Sequence, residues 1–277
     1  MTDRGEAVVA VASRTPAHAR SLVEQLPGAQ ALDASQAVEC ADLVLLTVPD
    51  DHIALVAASL PWRSGQAAVH CSGATPLEAL APARAAGALL GGLHPLQIFS
   101  APAANAEAAL TLLTGSHAAV EAEDLALHAR LQQLARTLGM HPFALPPGAR
   151  AAYHAAAGYG ASFLLSLLDE AAMIWREAGL SPEAALPALL PLARGTLAAA
   201  QARGLAGALS GPISRGDVGV LRAHLQALQA QGRADFYRVI ARRQLLLARA
   251  SGRLDAAALA RLEELLGDVD RGAAPHA

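Results

Sequence analysis

Two histidines close short apolar runs in the first half of the chain. His70 ends Ala67-Ala68-Val69 and is followed by Cys71-Ser72-Gly73-Ala74; His94 ends Ala88–Leu93 and is followed by Pro95-Leu96-Gln97. Apolar runs of this length, bounded by turn residues, read as buried strands. Open α/β folds bind their ligands outside the carboxyl ends of such strands. Both imidazoles are therefore expected at one sheet edge, where an imidazole can give or take a proton near neutral pH. The plain alternative is two histidines that cap turns.

A second chemistry-bearing group lies near the N-terminus. Ala7–Ser13 reads as a strand, and it is followed by Arg14-Thr15-Pro16. The GxGxxG that lets backbone approach a pyrophosphate at a helix N-terminus is not there. The segment matches instead the end of the second strand of a dinucleotide fold, where a side chain meets the adenosine ribose. Ser13 and Arg14 suit a 2′-phosphate, because a guanidinium holds phosphate through paired hydrogen bonds and an acid would repel it. The expected cofactor is NADP, with a solvated turn arginine as the other reading. Only Met1–Glu6 precede this strand, so the expectation is a start placed too far downstream, with weak or absent NADP binding by the chain as written.

Composition narrows the classes. With 277 residues, 53% hydrophobic and 16% charged, the chain is long enough for two globular domains. All 21 basic residues are arginine and they are scattered among acids, so no nucleic-acid footprint is expected. The absence of lysine removes Schiff-base and lysine-base chemistry. Cys40 and Cys71 stand alone, which fits a reducing cytoplasm. No leader and no membrane-spanning run is read. Ser72 has no glycine two residues before it, so no nucleophile elbow is written. His94, His154 and Asp217 lack the spacing of a typical zinc site, and no metal is expected.

The elements that must position these residues alternate. Strands are read at Ala7–Ser13, Leu43–Val48, Gln66–Cys71 and Leu89–Leu93, with helices at Pro16–Leu26, from Asp50-Asp51 to about Leu60, and from Thr75-Pro76 through Arg84. Leu110–Thr114 and His141–Leu145 bracket an amphipathic helix over Glu121–Leu138. This predicts an α/β doubly wound parallel sheet, Rossmann-like but lacking its first βα unit, followed by an all-α domain. The boundary is placed at Pro146–Gly148, giving a dinucleotide-binding domain over 1–147, a helical domain over 148–270 and a tail over 271–277. One helix is read over Arg150–Ala178 and another from Ser181-Pro182-Glu183, kinked at Pro187 and Pro191. Val218–Gln229, Ala234–Ala250 and Asp255–Leu266 supply three more.

Ser13–Pro16, Val48-Pro49-Asp50-Asp51, His70–Ala74, His94–Gln97, Tyr153–Ala156 and Gly211–Asp217, in this order, resemble the family that joins a Rossmann-like NADP-binding domain to a helical domain of unknown function, DUF2520. The family is similar in plan to pyrroline-5-carboxylate reductases, and the likeness covers about residues 7–250. The resemblance implies that Ser13, Arg14, Thr15, Val48, Pro49 and Asp50 line the adenosine side of the cofactor. It implies that Ser72 and Gly73 lie beside the nicotinamide. His94 resembles the histidine of the HP motif in prephenate dehydrogenases, which makes it the expected proton donor, with His154 second. Gln97, Ser162, Arg215 and Asp217 are the implied substrate contacts; Ser162 stands where the family usually carries asparagine. Arg215 can hold a carboxylate or pair with Asp217, and Asp217 can simply cap the next helix.

These readings converge on an NADP-dependent oxidoreductase that reduces a small carbonyl or imine compound, a carboxylate by expectation, as a cytoplasmic homodimer formed through the helical domain. The rival is a non-catalytic ligand-binding or dimerisation protein on a degraded Rossmann domain.

Overall fold

The computed structural model describes residues 7–99 and 105–267. Met1–Glu6 and the expected 271–277 tail lie outside them. The chain forms two compact units, Met1–Phe163 and Leu164–Ala277. The division falls after the Pro146–Gly148 turn, so the first helix beyond that turn belongs to the sheet unit.

In the first unit the order is β1 (Ala10–Val11), α1 (Pro16–Val23), β2 (Gln30–Ala31), α2 (Ala34–Glu39), β3 (Leu43–Leu46), α3 (Ile53–Ser59), β4 (Ala67–His70), α4 (Ala81–Ala85), β5 (Leu89–Leu96), α5 (Ala106–Leu113), β6 (His117–Ala122), α6 (Leu125–Thr137), β7 (His141–Ala144) and α7 (Arg150–Gly160). Five strands make one sheet in the order β3-β4-β5-β6-β7, and β1 pairs only with β2. The sheet is parallel-dominated and Rossmann-like. It departs from an all-parallel expectation at β6, which runs against β5 with His117 opposite Leu96. The chain therefore re-enters the sheet at the end where β5 finishes, and α5 never crosses a face to the other edge.

Two local expectations change for capping reasons. Leu110–Thr114 is the end of α5, a helix opened by the Asn105 side chain, which accepts from Ala108 N–H. Glu121 lies in β6 and not in a helix, because Asp124 caps α6 by accepting from Leu127 N–H and so fixes the helix start. The long first strand read at Ala7–Ser13 shrinks to Ala10–Val11.

The core of the first unit explains why β4 and β5 are well placed. Every residue of β4 is buried. On one face the i, i+4 stripe Leu127, Leu131 and Ala135 of α6 packs on β4, β5 and β6; on the other, Ile53, Ala57, Trp62 and Leu80 pack on Leu90. Gly91 is a packing glycine, since a Cβ there would lie 2.8 Å from Leu131 Cδ1. Removing a buried leucine such as Leu131 costs about 2–5 kcal/mol.

The second unit contains most of α8 (Ser162–Glu177), then α9 (Pro182–Ala208), α10 (Pro212–Arg215), α11 (Val218–Ala230), α12 (Ala234–Ser251) and α13 (Ala256–Leu266). Leu221, Leu225, Leu228, Leu245 and Leu262 form its core. Arg233 ties α8 to this core through Glu170 and Glu177. The single helix expected over 150–178 is interrupted at Ala161, whose φ of −124° and ψ of −89° are not helical. In α9 the dihedrals stay helical through Pro187 and Pro191, and the break comes at Gly204, whose φ of 68° and ψ of 172° only glycine adopts readily. No helix among the described residues is long and apolar enough to cross a membrane.

Candidate active site

β5 delivers His94 from the buried middle of the sheet to its edge, and α7 meets it there. Residues three and four apart share a helix face, so Arg150, Tyr153 and His154 project together from the first turns of α7. His94 Nδ1 and the Tyr153 hydroxyl share a hydrogen bond of 2.8 Å. The two rings meet edge to face at 5.7 Å, and the His154 ring lies 6.2 Å from His94. Phe143 of β7 packs edge-on against Tyr153 at 5.8 Å.

Gly73 closes this group from the β4 side. A Cβ at Gly73 would lie 2.7 Å from both His94 Cε1 and His154 Cδ2, and 2.8 Å from His94 Nε2. The bare glycine therefore lets the Cε1–Nε2 edge of His94 and the His154 ring pack directly against the turn. The turn that holds Gly73 is set by Ser72, a buried residue whose Oγ accepts from Ala74 and Thr75 N–H and bonds Thr75 Oγ1. Ser72 thus shapes the turn with its side chain and offers its carbonyl to Arg150 at 2.7 Å.

Beneath the group, the Arg150 guanidinium is almost fully buried. Its Nε donates to Glu121 Oε2 at 2.8 Å. His70 at the end of β4 is fully buried, and neither ring nitrogen has a partner among the described residues. Burial, joined by the Arg150 cation and His94, brings the His70 pKa down to about 4; Asp50 works the other way. Burial, then His154 and Arg150, likewise brings His94 down to about 4, again against Asp50. Burial raises the Tyr153 hydroxyl pKa, and it pushes the Cys71 thiol up to about 11, so this thiol is no nucleophile at neutral pH. At pH 7 His70, His94, Tyr153 and Cys71 are uncharged, beside the Arg150–Glu121 ion pair.

The other expected residues fall in several places. Ser13, Arg14 and Thr15 lead into α1; Ser13 Oγ accepts from Thr15 N–H at 3.3 Å, and Arg14 is exposed, without a hydrogen bond among the described residues. Val48, Pro49 and Asp50 follow β3, and Asp50 opens a single 3₁₀ turn. The Gln97 amide is engaged locally, donating to Leu112 C=O and accepting from Ile98 N–H. Ser162 Oγ donates to Gly158 C=O at 3.4 Å. In the second unit, Arg215 is exposed at the end of α10 and makes no ion pair with Asp217 among the described residues. Asp217 has the plain role, accepting from Val220 N–H as the cap of α11. The sequence reading named neither Tyr153, Arg150 nor Glu121 as site residues. The Arg-x-x-Tyr-His spacing on one helix carried the signal for the first two; nothing local marks Glu121.

A parallel-dominated sheet with polar side chains at the carboxyl ends of β4 and β5, followed by an all-helical unit, defines a two-domain Rossmann-like protein. Residues 1–95 match the Rossmann-like domain and residues 116–244 match the domain of unknown function DUF2520, so the chain belongs to the family that joins these two domains. No protein of curated function matches it. Among solved structures it is similar to protein TM1727 from Thermotoga maritima, at 24% identity and a TM-score of 0.70, over 86% of this chain and 90% of that one. It is similar to 1-pyrroline-5-carboxylate reductase from Streptococcus pyogenes, at 15% identity and 0.52, over 70% of each. It is also similar to the reductive aminase from Aspergillus terreus in complex with NADPH and ethyl levulinate, at 18% identity and 0.56, over 95% of this chain and 92% of that one.

Proposed function

We propose that this protein is an NADP-dependent oxidoreductase that reduces a small carbonyl or imine compound, with His94 as the group that meets the reacting heteroatom. The carrying observation is the neutral His94 at the end of β5, held by Tyr153 and packed beside Gly73 and His154. The names of two similar structures, a pyrroline-5-carboxylate reductase and a reductive aminase holding NADPH, support the same class.

Several residues fit the nicotinamide cofactor. Gly73 lies in the turn after β4, Arg14 has a guanidinium without a hydrogen bond among the described residues that suits a 2′-phosphate, and Val48–Asp50 follow a strand end. A glycine-rich turn for the pyrophosphate is not found among the described residues. When bound, the cofactor supplies hydride. The chain's own residues then manage charge. With Tyr153 donating to Nδ1, the His94 proton sits on Nε2, the ring nitrogen away from Tyr153. From there the N–H donates to a carbonyl oxygen or imine nitrogen and stabilises negative charge as it develops, without first having to be an imidazolium. Tyr153 stands behind the ring as the proton supply. His154 is the exposed neighbour through which solvent restores it.

A second copy of the chain is the expected partner. α8 buries no residue and α9 only Ala185, while Leu165, Leu186, Leu192 and Leu197 stand open to solvent. An apolar surface of this extent supports a homodimer, and the two unpaired cysteines fit a reducing cytoplasm. The rival, a non-catalytic ligand-binding protein, is favoured by one observation: β1 pairs only with β2, and no described strand lies between them and β3. The deciding experiment is titration with NADPH of this chain and of a version carrying further N-terminal sequence. A screen of keto acids and cyclic imines follows. Binding and turnover support the enzyme; absence of both in the two versions supports the rival.

A further inference from the structure

β5 and α7 run alongside each other, and Arg150 fills the space where they are closest. Gly92 and His94 are two apart on β5 and so face the same side of the sheet. Gly92 has no side chain, and the Arg150 Nη2 occupies the vacancy: a Cβ at Gly92 would lie 2.2 Å from it. About one turn further along α7, Tyr153 and His154 reach His94. The residue directly opposite Gly92 on β6 is Glu121, which accepts from Arg150 Nε at 2.8 Å. Nη1 donates to the carbonyl of Ser72, one residue before Gly73. One side chain therefore grips three elements: the turn carrying Gly73, the strand paired with β5, and the helix carrying the two rings that touch His94.

We propose that Arg150 is the positioning residue of this site, the group that fixes Tyr153, His154 and Gly73 around His94. The inference rests on the reading of His94 as the proton-delivering group, and it extends that reading to a residue that touches no substrate. Only arginine serves. Its planar fork reaches two acceptors in different directions while its third nitrogen lies flat on a glycine, whereas a lysine ammonium would reach one. Its charge also acts on the rings. The groups facing His94 are His154 and Tyr153 from α7, His70 from β4, Asp50 after β3 and Arg150 itself, whose cation is paired with Glu121 of β6; of these, Asp50 favours protonation of His94. Gly92, like Gly73, is then a requirement of the site and not of the strand.

The test reads His94 directly, without substrate or cofactor. Nitrogen-15 NMR of the histidine rings, with His94 assigned by loss of its signals in His94→Gln, gives its tautomer and its titration midpoint. In the unaltered chain the expected result is one tautomer and a midpoint near 4. Gly92→Ala pushes the guanidinium aside without removing any hydrogen-bonding group, and Arg150→Lys keeps the charge but loses the fork. In both, His94 should lose its tautomer preference and its midpoint should rise toward the ordinary imidazole value of about 6.5, while circular dichroism stays that of a folded protein. Should either variant fail to fold, the neutral pair Glu121→Gln with Arg150→Met is read in the same way. Unchanged His94 signals in the folded variants overturn the proposal, as does an ordinary midpoint in the unaltered chain. If no carbonyl or imine is ever turned over, the oxidoreductase reading falls and this measurement still decides what Arg150 does.

Discussion

The two places where the cofactor would touch the chain are built differently. At the ends of β4 and β5 the polar groups sit on a fully buried strand and on one buried through its middle, and one arginine joins them to β6 and α7. At the entry to α1, Ser13, Arg14 and Thr15 are exposed, follow a two-residue strand, and make one side-chain hydrogen bond among the described residues, of 3.3 Å. The chemistry-facing end is therefore preorganised by packing. The end proposed to hold the ribose phosphate is shaped locally, by a proline at the helix start and little else. Preorganised polar groups in a dry setting can stabilise developing charge strongly, while exposed phosphate contacts supply affinity in small increments. Rate and cofactor affinity should thus be separable in this protein.

Arg150→Met breaks the comparison at its strong end. It leaves Glu121 buried without a partner, and truncating one member of a buried ion pair costs about 3–5 kcal/mol; Arg14→Ala should lie within about 0.5 kcal/mol of the unaltered chain. Chemical denaturation of the two variants side by side checks this, and equal losses would end the contrast. Next in size is catalysis. Once a substrate is found, His94→Ala should reduce turnover about 10²–10⁴-fold, the range for a positioned proton-transfer group. Tyr153→Phe should reduce kcat with little change in KM, because the hydroxyl acts through His94. Turnover surviving in His94→Ala removes the assignment.

The strong end also carries a pH signature. A buried neutral imidazole with a pKa near 4 binds its proton later than in the unfolded chain, where the value is 6.5. Above pH 6.5 both states are neutral and the group has no effect; as pH falls from 6.5 to 4 the unfolded state takes up the proton first, and stability is lost. For His70 this amounts to about 2 kcal/mol at pH 5. His70→Leu should therefore be more stable relative to the unaltered chain at pH 5 than at pH 7.5. A pH-independent difference would show that His70 titrates normally.

What the sequence made legible follows the same division. His70 and His94 were readable because β4 and β5 are short apolar runs with polar residues straight after them, a pattern set by burial alone. The helical second unit was readable from periodicity, and Asp217 caps a helix as its position suggested. Arg150, Tyr153 and Glu121 were harder, because the grip depends on Glu121 lying opposite Gly92, and strand register is a long-range fact with no local mark. The antiparallel turn-back at β6 was hidden for the same reason. The break at Ala161 was hidden differently: the apolar period runs through it, and only the backbone angles show that the helix does not.

The weakest expected effect falls at the open end. Arg14 is exposed and free of hydrogen bonds among the described residues, so its removal leaves no buried charge behind and any loss reads as lost ligand contact. A bidentate guanidinium–phosphate pair at a solvated site adds about 1–2 kcal/mol, roughly a tenfold change in Kd. Arg14→Ala should therefore weaken NADPH about tenfold and leave NADH unaltered, since NADH has no 2′-phosphate to lose. Fluorescence titration with both nucleotides measures the ratio. An equal loss for the two would mean that Arg14 acts through the shape of the α1 entry, and the selectivity for the phosphorylated cofactor would then have to come from another residue.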